Sequence, residues 1–204
     1  MPTVLLIRHG ENEYVKKGRL AGRLPGVHLN DTGRAQAQAL AAALAGKPIK
    51  AVYSSPLERT LETAEPIAAA LKLPVIPRPG LLEVDFGKWQ DKTFKQLMPL
   101  KLWGIVQRSP SLARFPEGES FAEAQHRIVQ EIDALLAQHK PKDTFACVGH
   151  SDMIKLAVAY YLGLPLDLFQ RLIVQPASIS ALHITKSHTR LFTLNHTLDL
   201  PTHS

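Results

Sequence analysis

Short apolar runs alternate along this chain with longer segments in which apolar residues recur every three or four positions. Runs of four to eight apolar residues are typical of buried strands, and the longer period is typical of helices that bury one face. The runs predict strands at residues 3–8, 51–54, 74–77, 143–149, 171–174, 178–185 and 190–195. The longer periods predict helices at residues 33–45, 56–71, 119–139 and 152–162. The alternation predicts an α/β fold, a three-layer α/β/α sandwich with a mostly parallel central sheet.

One segment, about residues 78–117, interrupts this alternation because it is rich in proline, glycine and charge. We expect it to fold over the strand ends as a small cap. The chain contains no internal repeat and no linker-like tract, so its 204 residues predict one domain, residues 1–204, with one substantial core. The strand at 178–185 is a candidate sheet edge, and such an edge would allow a homodimer.

The charge balance is basic, with 24 Lys and Arg against 18 Asp and Glu and a formal net charge of +6. The basic residues are scattered, with no run of five and no interleaved aromatic residues, which argues against a nucleic-acid partner. Positive potential also assists encounter with small anions. We therefore expect a small anionic substrate.

The single cysteine, Cys147, excludes an internal disulfide and favours a reducing compartment. It lies in an apolar run and is interpreted as a core residue rather than a catalytic thiolate. Residues 1–3 lead directly into the first strand without the pattern of a signal peptide. No apolar segment reaches the roughly 18 residues of a membrane span. We expect a cytoplasmic protein that does not associate with membranes.

Polar groups follow three of the predicted parallel strands: Arg8-His9-Gly10, Ser54-Ser55 and Gly149-His150. Ligands of such sheets bind where strands end and helices begin, so we expect the three loops to meet. Arginine holds phosphate bidentately, and a neutral imidazole can attack phosphorus. The convergence predicts phosphoryl transfer through a phosphohistidine. A protonated His150 would stabilise charge on the phosphoryl oxygens.

The segment Ser55-Pro56-Leu57-Glu58 has the residues of a capping box, a serine N-cap, a proline at the first helical position and a glutamate three residues after the cap. It places Arg59 in the first helical turn, where a cation opposes the helix dipole. One interpretation is a solvent-exposed arginine. The other is that Arg59 and the helix N-terminus bind one anion, such as phosphate.

Proton donation to the leaving group needs an acid, and the segment at 81–87 offers two carboxyl groups, Glu83 and Asp85. A partly buried carboxyl group has a raised pKa and can act as a general acid. The residues alone do not choose between the two.

Five motifs occur in order along nearly the whole chain. They are Arg8-His9-Gly10-Glu11, Ser54-Ser55-Pro56-Leu57-x-Arg59 with Thr63-Ala64, Glu83 with Phe86-Gly87-x-Trp89, Pro116-Glu117-Gly118-Glu119-Ser120, and Val148-Gly149-His150-Ser151. In this order they resemble the histidine phosphatase superfamily, also called the phosphoglycerate mutase-like family. The resemblance implies a three-layer α/β/α fold and no metal or cofactor.

The resemblance also implies roles for matched residues. His9 would be the phosphorylated nucleophile, and Glu83 the proton donor. The remaining matched positions would bind the phosphate or the substrate: Arg8, Arg59, His150, Arg19 and Gly22. Two positions depart from the family pattern: Val15 stands where many members have a phosphate-contacting asparagine, and Gln90-Asp91 stands where many have Glu-Gly.

Members of the family divide mainly into phosphatases and mutases. The cap has little room for the longer insertion that marks cofactor-dependent mutases, so we expect a metal-independent phosphomonoesterase acting on a small phosphorylated metabolite. Candidate substrate-determining residues in the cap are Lys88, Trp89, Lys92, Lys95, Trp103 and Arg108. Several lysines there would suit a multiply charged ester. The alternatives are mutase-type phosphoryl transfer and a non-catalytic module that binds a phospho-ligand.

A serine hydrolase is a further alternative, because residues 149–153 approximate a nucleophile elbow centred on Ser151. Partners for a triad would come from Asp167 or Asp199 and from His183, His188 or His196. Met153 replaces the final glycine of the elbow, and this interpretation leaves Arg8 and His9 unexplained. Metal hydrolysis is disfavoured since His126 and His139 lack ligand-like spacing.

Overall fold

The computed structural model describes residues 2–185 and 187–198. Six strands form one sheet, in the order β3-β2-β4-β1-β5-β6. They are β1 (Thr3–Arg8), β2 (Ile49–Ser54), β3 (Val75–Pro77), β4 (Thr144–Gly149), β5 (Ile179–Ile184) and β6 (Thr189–His196). Strands β3, β2, β4 and β1 run parallel, whereas β5 and β6 run antiparallel to their neighbours. The predicted mostly parallel sheet is confirmed.

Helices cover both faces of this sheet. They are α1 (Glu13–Lys16), α2 (Asp31–Leu44), α3 (Glu58–Leu71), α4 (Phe94–Leu97), α5 (Lys101–Arg108), α6 (Phe121–Gln138) and α7 (Ser151–Leu162). Within the described residues, no helix is both long and apolar enough to cross a membrane.

The core divides into two clusters because successive side chains of a strand point to opposite faces. Ile7 of β1 packs in the cluster with α2 and α3, and Leu6 packs in the cluster with α6 and α7. Cys147 on β4 is buried in the second cluster, where burial raises the pKa of its thiol. The predicted three layers and the predicted core position of Cys147 are confirmed.

The predicted strand at 171–174 is wrong. A 3-10 helix spans Leu166–Arg171, and the residues after it pair with no strand. Both sides of β1 are already paired, with β4 and β5, so no position beside β1 is open to this segment. Its apolar pattern has another cause: Val174 is buried, and its carbonyl oxygen accepts a hydrogen bond from Nη1 of Arg8 at 2.7 Å.

The strand at 178–185 is not an edge, contrary to expectation. β5 pairs with β1 on one side and with β6 on the other, so the sheet ends at β3 and β6. The hairpin from β5 to β6 pairs the side of β5 that faces away from β1. A homodimer through β5 pairing is therefore excluded by this register.

The predicted capping box at Ser55 is wrong as well. Helix α3 begins at Glu58 with Leu57 at its N-cap, and no side chain caps it. Ser55 stays at the end of β2 because its N–H donates to the carbonyl of Val148 on β4. The hydroxyl of Thr60 lies 2.8 and 2.6 Å from the carbonyl oxygens of Ser55 and Leu57 and donates its one hydrogen between them. Arg59 nevertheless lies in the first turn, as predicted.

The segment 78–117 covers the strand ends with short helices. Besides α4 and α5 it contains 3-10 helices at Pro79–Leu81, Gly87–Trp89 and Pro110–Leu112. Phe115 joins it to the core through edge-to-face contacts with Trp89 and Phe121, at 5.3 and 5.2 Å between ring centroids. The predicted cap is thus packed on the core rather than a loose excursion.

Candidate active site

A cavity of about 400 Å³ lies between the carboxyl ends of the parallel strands and the cap. Of the predicted site residues, those that line it are Arg8, His9, Arg19, Gly22, Arg59 and Glu83. His150 is fully buried beside them, within hydrogen-bond distance of Arg59. We call Arg8, His9, Asn12, Arg59 and Glu83 the inner pocket. The expected meeting of three loops is confirmed.

His9 is held as a neutral imidazole with a free Nε2. Its Nδ1 lies 2.7 Å from the carbonyl oxygen of Gly10. A carbonyl oxygen only accepts, so Nδ1 carries the proton and Nε2 keeps its lone pair. Burial, then the charges of Arg59 and Arg8, lower the pKa of His9 well below its usual range. This is the protonation state that a nitrogen nucleophile needs.

His150 is held neutral as well, with the opposite tautomer. Nη2 of Arg59 lies 3.2 Å from its Nδ1, and a guanidinium only donates, so Nδ1 accepts. Its Nε2–H then donates to Oγ of Ser55 at 2.9 Å. Burial and the charge of Arg59 lower the pKa of His150 well below its usual range. The expectation of a protonated His150 is therefore wrong: Arg59 occupies the nitrogen that would take the proton.

The two arginines of the inner pocket have hydrogen-bond donors without partners. Arg59 is 1% exposed; its Nη2 donates to Gly22 and His150, but its Nε and Nη1 contact no acceptor among the described residues. Nε of Arg8 is likewise buried without a partner there. Burial lowers the pKa of Arg59 to about 10, so it stays charged near neutral pH. A buried guanidinium, that of Arg59, and a half-buried one, that of Arg8, both with free donors, make a site for an anion.

The structure separates the two candidate acids. Glu83 lines the cavity, and its Oε2 lies 4.0 Å from Nδ1 of His150. Burial, then the negative charge of Asp152, raises the pKa of Glu83 to about 7. Asp85 instead accepts from the N–H of Gly87 and lies 3.7 Å from Arg23. The geometry favours Glu83 as the proton donor.

The backbone of Glu83 is held by a network that sequence reasoning missed. Arg23 and Arg127 both donate to its carbonyl oxygen, at 2.9 and 3.2 Å. Glu119 binds both of these arginines, at 2.7 and 3.0 Å. Glu119 does lie in one of the quoted motifs, but neither arginine carried a signal, since both are distant in sequence.

Comparison with known proteins agrees with this geometry. A family model described as histidine phosphatase superfamily (branch 1) matches residues 4–197. The chain belongs to this superfamily. The predicted family, and with it the predicted enzyme class, a histidine phosphatase-type hydrolase, is confirmed.

Individual relatives span the full length of the chain. Phosphoserine phosphatase 1 of Hydrogenobacter thermophilus is 30% identical over 205 residues, 98% of this chain and 95% of that protein. A solved phosphoserine phosphatase of Entamoeba histolytica in complex with 3-phosphoglyceric acid has a TM-score of 0.87 at 28% identity, covering 97% and 98% of the two chains. A 2,3-bisphosphoglycerate-dependent phosphoglycerate mutase of Thermoplasma acidophilum is 29% identical, covering 90% and 88%.

The residues at 90–91, which depart from the histidine phosphatase pattern, pack against two residues of the cavity wall, Arg19 and Gly22. Nε of Arg19 donates to the carbonyl oxygen of Asp91 at 2.5 Å, and Nη2 donates to its carboxylate at 3.2 Å. Gln90 packs so closely on Gly22 that a Cβ there would lie 2.5 Å from Oε1 of Gln90. Gly22, at φ +53, presents its carbonyl oxygen to Arg59. Arg19 and Gly22 are thus in place, with Arg19 paired to a carboxylate.

The departure at Val15 is accompanied by a residue that sequence analysis missed. Val15 lines the cavity with an apolar side chain. Asn12, three residues earlier, also lines it and is fully buried. Its place three residues after His9 is the signal in the sequence that points to it.

Apolar residues form most of the cap side of the cavity, with Gln107 as a polar residue among them. We call Trp89, Phe94, Trp103, Val106 and Phe115 the cap wall. The charged cap candidates do not line the cavity: Lys88, Lys92, Lys95 and Arg108. The position of these side chains gives no support to the suggestion that cap lysines bind a multiply charged ester, which stays a prediction.

The serine hydrolase alternative has no triad in the described residues. The hydroxyl of Ser151 is directed to the carbonyl oxygen of Val174 at 3.4 Å. Asp167 accepts from the N–H of Ser111, and His183 bonds Thr3. Asp199 lies outside the described residues.

Proposed function

We propose that this histidine phosphatase hydrolyses phosphate monoesters of small molecules through a phosphohistidine on Nε2 of His9, without a metal ion. The observation that carries the proposal is the neutral His9 beside arginines whose buried donors lack partners. Nε2 attacks phosphorus as the bond to the ester oxygen breaks, and protonated Glu83 gives its proton to the departing alkoxide. Water then attacks the phosphohistidine and gives its proton to the Glu83 carboxylate, which releases phosphate and restores both groups.

Stabilisation of the transferring phosphoryl group comes from fixed charge. Phosphoryl transfer depends mainly on positioning and on charge stabilisation of the equatorial oxygens. Arg8 and Arg59 supply the positive charge, and His150 orients Arg59 through its Nδ1. Arg19 and Gly22 shape the cavity around them. The buried setting strengthens each of these interactions.

The mutase alternative needs cations that line the cavity outside the inner pocket, where they would bind a second anionic group of the substrate. The cations that line this part are Arg19 and Lys155, and each is paired with a carboxylate, Asp91 and Asp152 respectively. This pairing favours hydrolysis of monoesters over transfer between bisphosphorylated substrates. A purely binding module would need neither a free imidazole nitrogen nor a buried acid, and this cavity has both.

The substrate is proposed to be a small phosphorylated metabolite. Relatives named phosphoserine phosphatase support phosphorylated amino or hydroxy acids as candidates. The cap wall supports esters with an apolar or aromatic leaving group, since aromatic side chains bury such groups. We do not expect a nucleic-acid or membrane partner. The cytoplasmic location and the homodimer stay predictions, the first supported by the single buried thiol of Cys147.

The test is phosphate release from a panel of monoesters, with and without chelator, by wild type and by His9→Ala. The panel holds phosphoserine, 3-phosphoglycerate, glycerol phosphate and naphthyl phosphate. We expect turnover that survives chelator, is lost in His9→Ala and persists in the exposed control His28→Ala. Turnover that stops with chelator, or that persists in His9→Ala, would contradict the mechanism. Phosphoryl exchange between phosphoglycerates without net release would identify a mutase.

A further inference from the structure

In the described part of the chain, the buried donors that lack partners lie together in one site. Among the residues that the structure describes, the buried side-chain donors without a partner belong to three residues, Arg8, Arg59 and Asn12. All three line the same cavity. A buried donor that lacks an acceptor is costly, so an unpaired group in a folded protein needs an explanation. The two arginines are explained by a bound phosphate, and Asn12 raises the same question.

The orientation of the Asn12 amide follows from its hydrogen bond. Asn12 is the N-cap of α1, and its Oδ1 accepts from the N–H of Val15 at 2.9 Å. An N–H needs an acceptor, so this contact identifies the oxygen and leaves Nδ2 as the free end. Nδ2 is the buried donor without a partner. Val15 itself, which also lines the cavity, has no side-chain donor.

The backbone around Asn12 holds the amide in place. Asn12 forms an isolated antiparallel bridge with Leu29. On the preceding residue, the carbonyl oxygen of Glu11 accepts from the N–H of Asn30 at 3.1 Å. The hydrogen bond from the N–H of Val15 to Oδ1 fixes the side-chain amide of Asn12. Ordering this donor beforehand reduces the entropy lost when an anion binds.

We propose that Nδ2 of Asn12 is a phosphate donor of the active site, a neutral third partner beside Arg8 and Arg59. The inference rests on the proposed function, because it assigns the amide to the phosphoryl group of the same substrate. A neutral donor adds a directed hydrogen bond to a phosphoryl oxygen without raising the positive charge around His9. It therefore stabilises the phosphoryl group and leaves the neutral state of the His9 imidazole unchanged.

The test uses inorganic phosphate as the probe, with binding followed by calorimetry at fixed pH and salt. Asn12→Ser keeps an N-cap acceptor and removes the amide donor, and Asn30→Ser is its matched control. Asn30 caps α2 in the same way, but its Nδ2 already donates to Glu11. We expect Asn12→Ser to weaken phosphate affinity and kcat/KM about 10- to 100-fold, as loss of one hydrogen bond to a charged group does. We expect Asn30→Ser to change both less than about 2-fold.

Thermal stability without phosphate separates binding from structure. Asn12→Ser removes a donor that has no partner, so we expect its unfolding midpoint to be no lower than that of wild type. A lowered midpoint together with the lost affinity would assign Asn12 a structural role and overturn the proposal, as would unchanged phosphate affinity. If Asn12→Ser fails to fold, Asn12→Thr provides the same comparison, since it keeps a neutral cap acceptor and lacks the amide donor. Phosphate binding needs no turnover, so an absence of ester hydrolysis would contradict the proposed function while leaving this test intact.

Discussion

The inner pocket and the cap wall face each other across one cavity, and they differ in whether they bury hydrogen-bond donors that lack partners. The inner pocket buries charged and polar groups whose donors lack partners, as in Arg59. The cap wall presents aromatic and aliphatic side chains, and the nearby cation Arg19 is paired with Asp91. The inner pocket therefore selects for an anion. The cap wall selects by shape and apolar contact.

The two sides are also built differently. Arg8 ends β1 and Arg59 lies in the first turn of α3, so the pocket is fixed by the sheet and the helices packed on it. A rigid frame is what allows buried donors to stay unpaired, because the protein cannot collapse around them. The cap wall rests on short helices, such as the four residues of α4. We therefore expect the sheet and its packed helices to determine the reaction chemistry. We expect the cap wall to determine substrate preference.

The sharpest test of this contrast removes a charge from the inner pocket. We expect Arg59→Met to lower kcat/KM for every ester about 10²–10³-fold, the effect of removing one preorganised donor. The unfolding midpoint should not fall, since the variant removes a buried cation with unpartnered donors. Steady-state kinetics and thermal unfolding measure the two effects. The control Arg114→Met breaks an exposed pair with Glu123 and should change kcat/KM less than about 2-fold. A loss below 10-fold in Arg59→Met would contradict the assignment.

The next test concerns the acid. With the pKa of Glu83 raised to about 7, the proton-donating form predominates below that pH and is lost above it. For an alkyl ester we expect kcat/KM to fall as pH rises through about 7. Glu83→Gln should lower the rate about 10²-fold and abolish this basic limb. The pH profile is the measurement.

The leaving group provides the internal control for this acid. A nitrophenolate departs without protonation, so Glu83→Gln should affect nitrophenyl phosphate far less than glycerol phosphate. Equal losses on both esters, or a basic limb that survives in Glu83→Gln, would show that another group donates the proton.

The inner pocket was largely predictable from sequence, for a physical reason. Arg8, His9 and His150 each follow a buried apolar run, and parallel strands bring their carboxyl ends to one edge. The strand pattern therefore located the site. For Arg59 the residues left two interpretations open, and only the resemblance to the family chose between them.

The parts that sequence missed depend on contacts between distant residues. Glu83 was separated from Asp85 only by resemblance, because burial decides between the two carboxyl groups. The neutral state of His150 depends on Arg59, 91 residues away. Ser55 is a residue type that often caps helices, yet its N–H donates to β4 and its Oγ accepts from His150. Local propensity does not contain the hydrogen bonds to distant residues that decide these positions.

A test of the cap wall should change preference rather than chemistry. Phe94 is 42% exposed at the cavity and packs near Trp103, with 5.7 Å between ring centroids. We expect Phe94→Ala to raise KM for naphthyl phosphate about 5-fold, with little change for glycerol phosphate, because one aromatic contact contributes about 1 kcal/mol. Kinetics on the two esters measure the ratio. Met98→Ala, also exposed but outside the cavity lining, is the control. An equal effect on both esters would contradict selection by apolar contact.

The smallest expected effect is at the charged rim of the cap. The side chain of Lys88 is 63% exposed and pairs at 2.5 Å with Glu117, which is 70% exposed. An exposed ion pair contributes about 0–1 kcal/mol and is screened by salt, and this one lies outside the cavity lining. We therefore expect Lys88→Met to change kcat/KM less than about 2-fold for monophosphates and for bisphosphorylated esters alike. A selective loss on the bisphosphorylated ester would mean that Lys88 exchanges Glu117 for a second phosphate. The two sides of the cavity would then both bind anions, and mutase-type transfer would become the better account of this site.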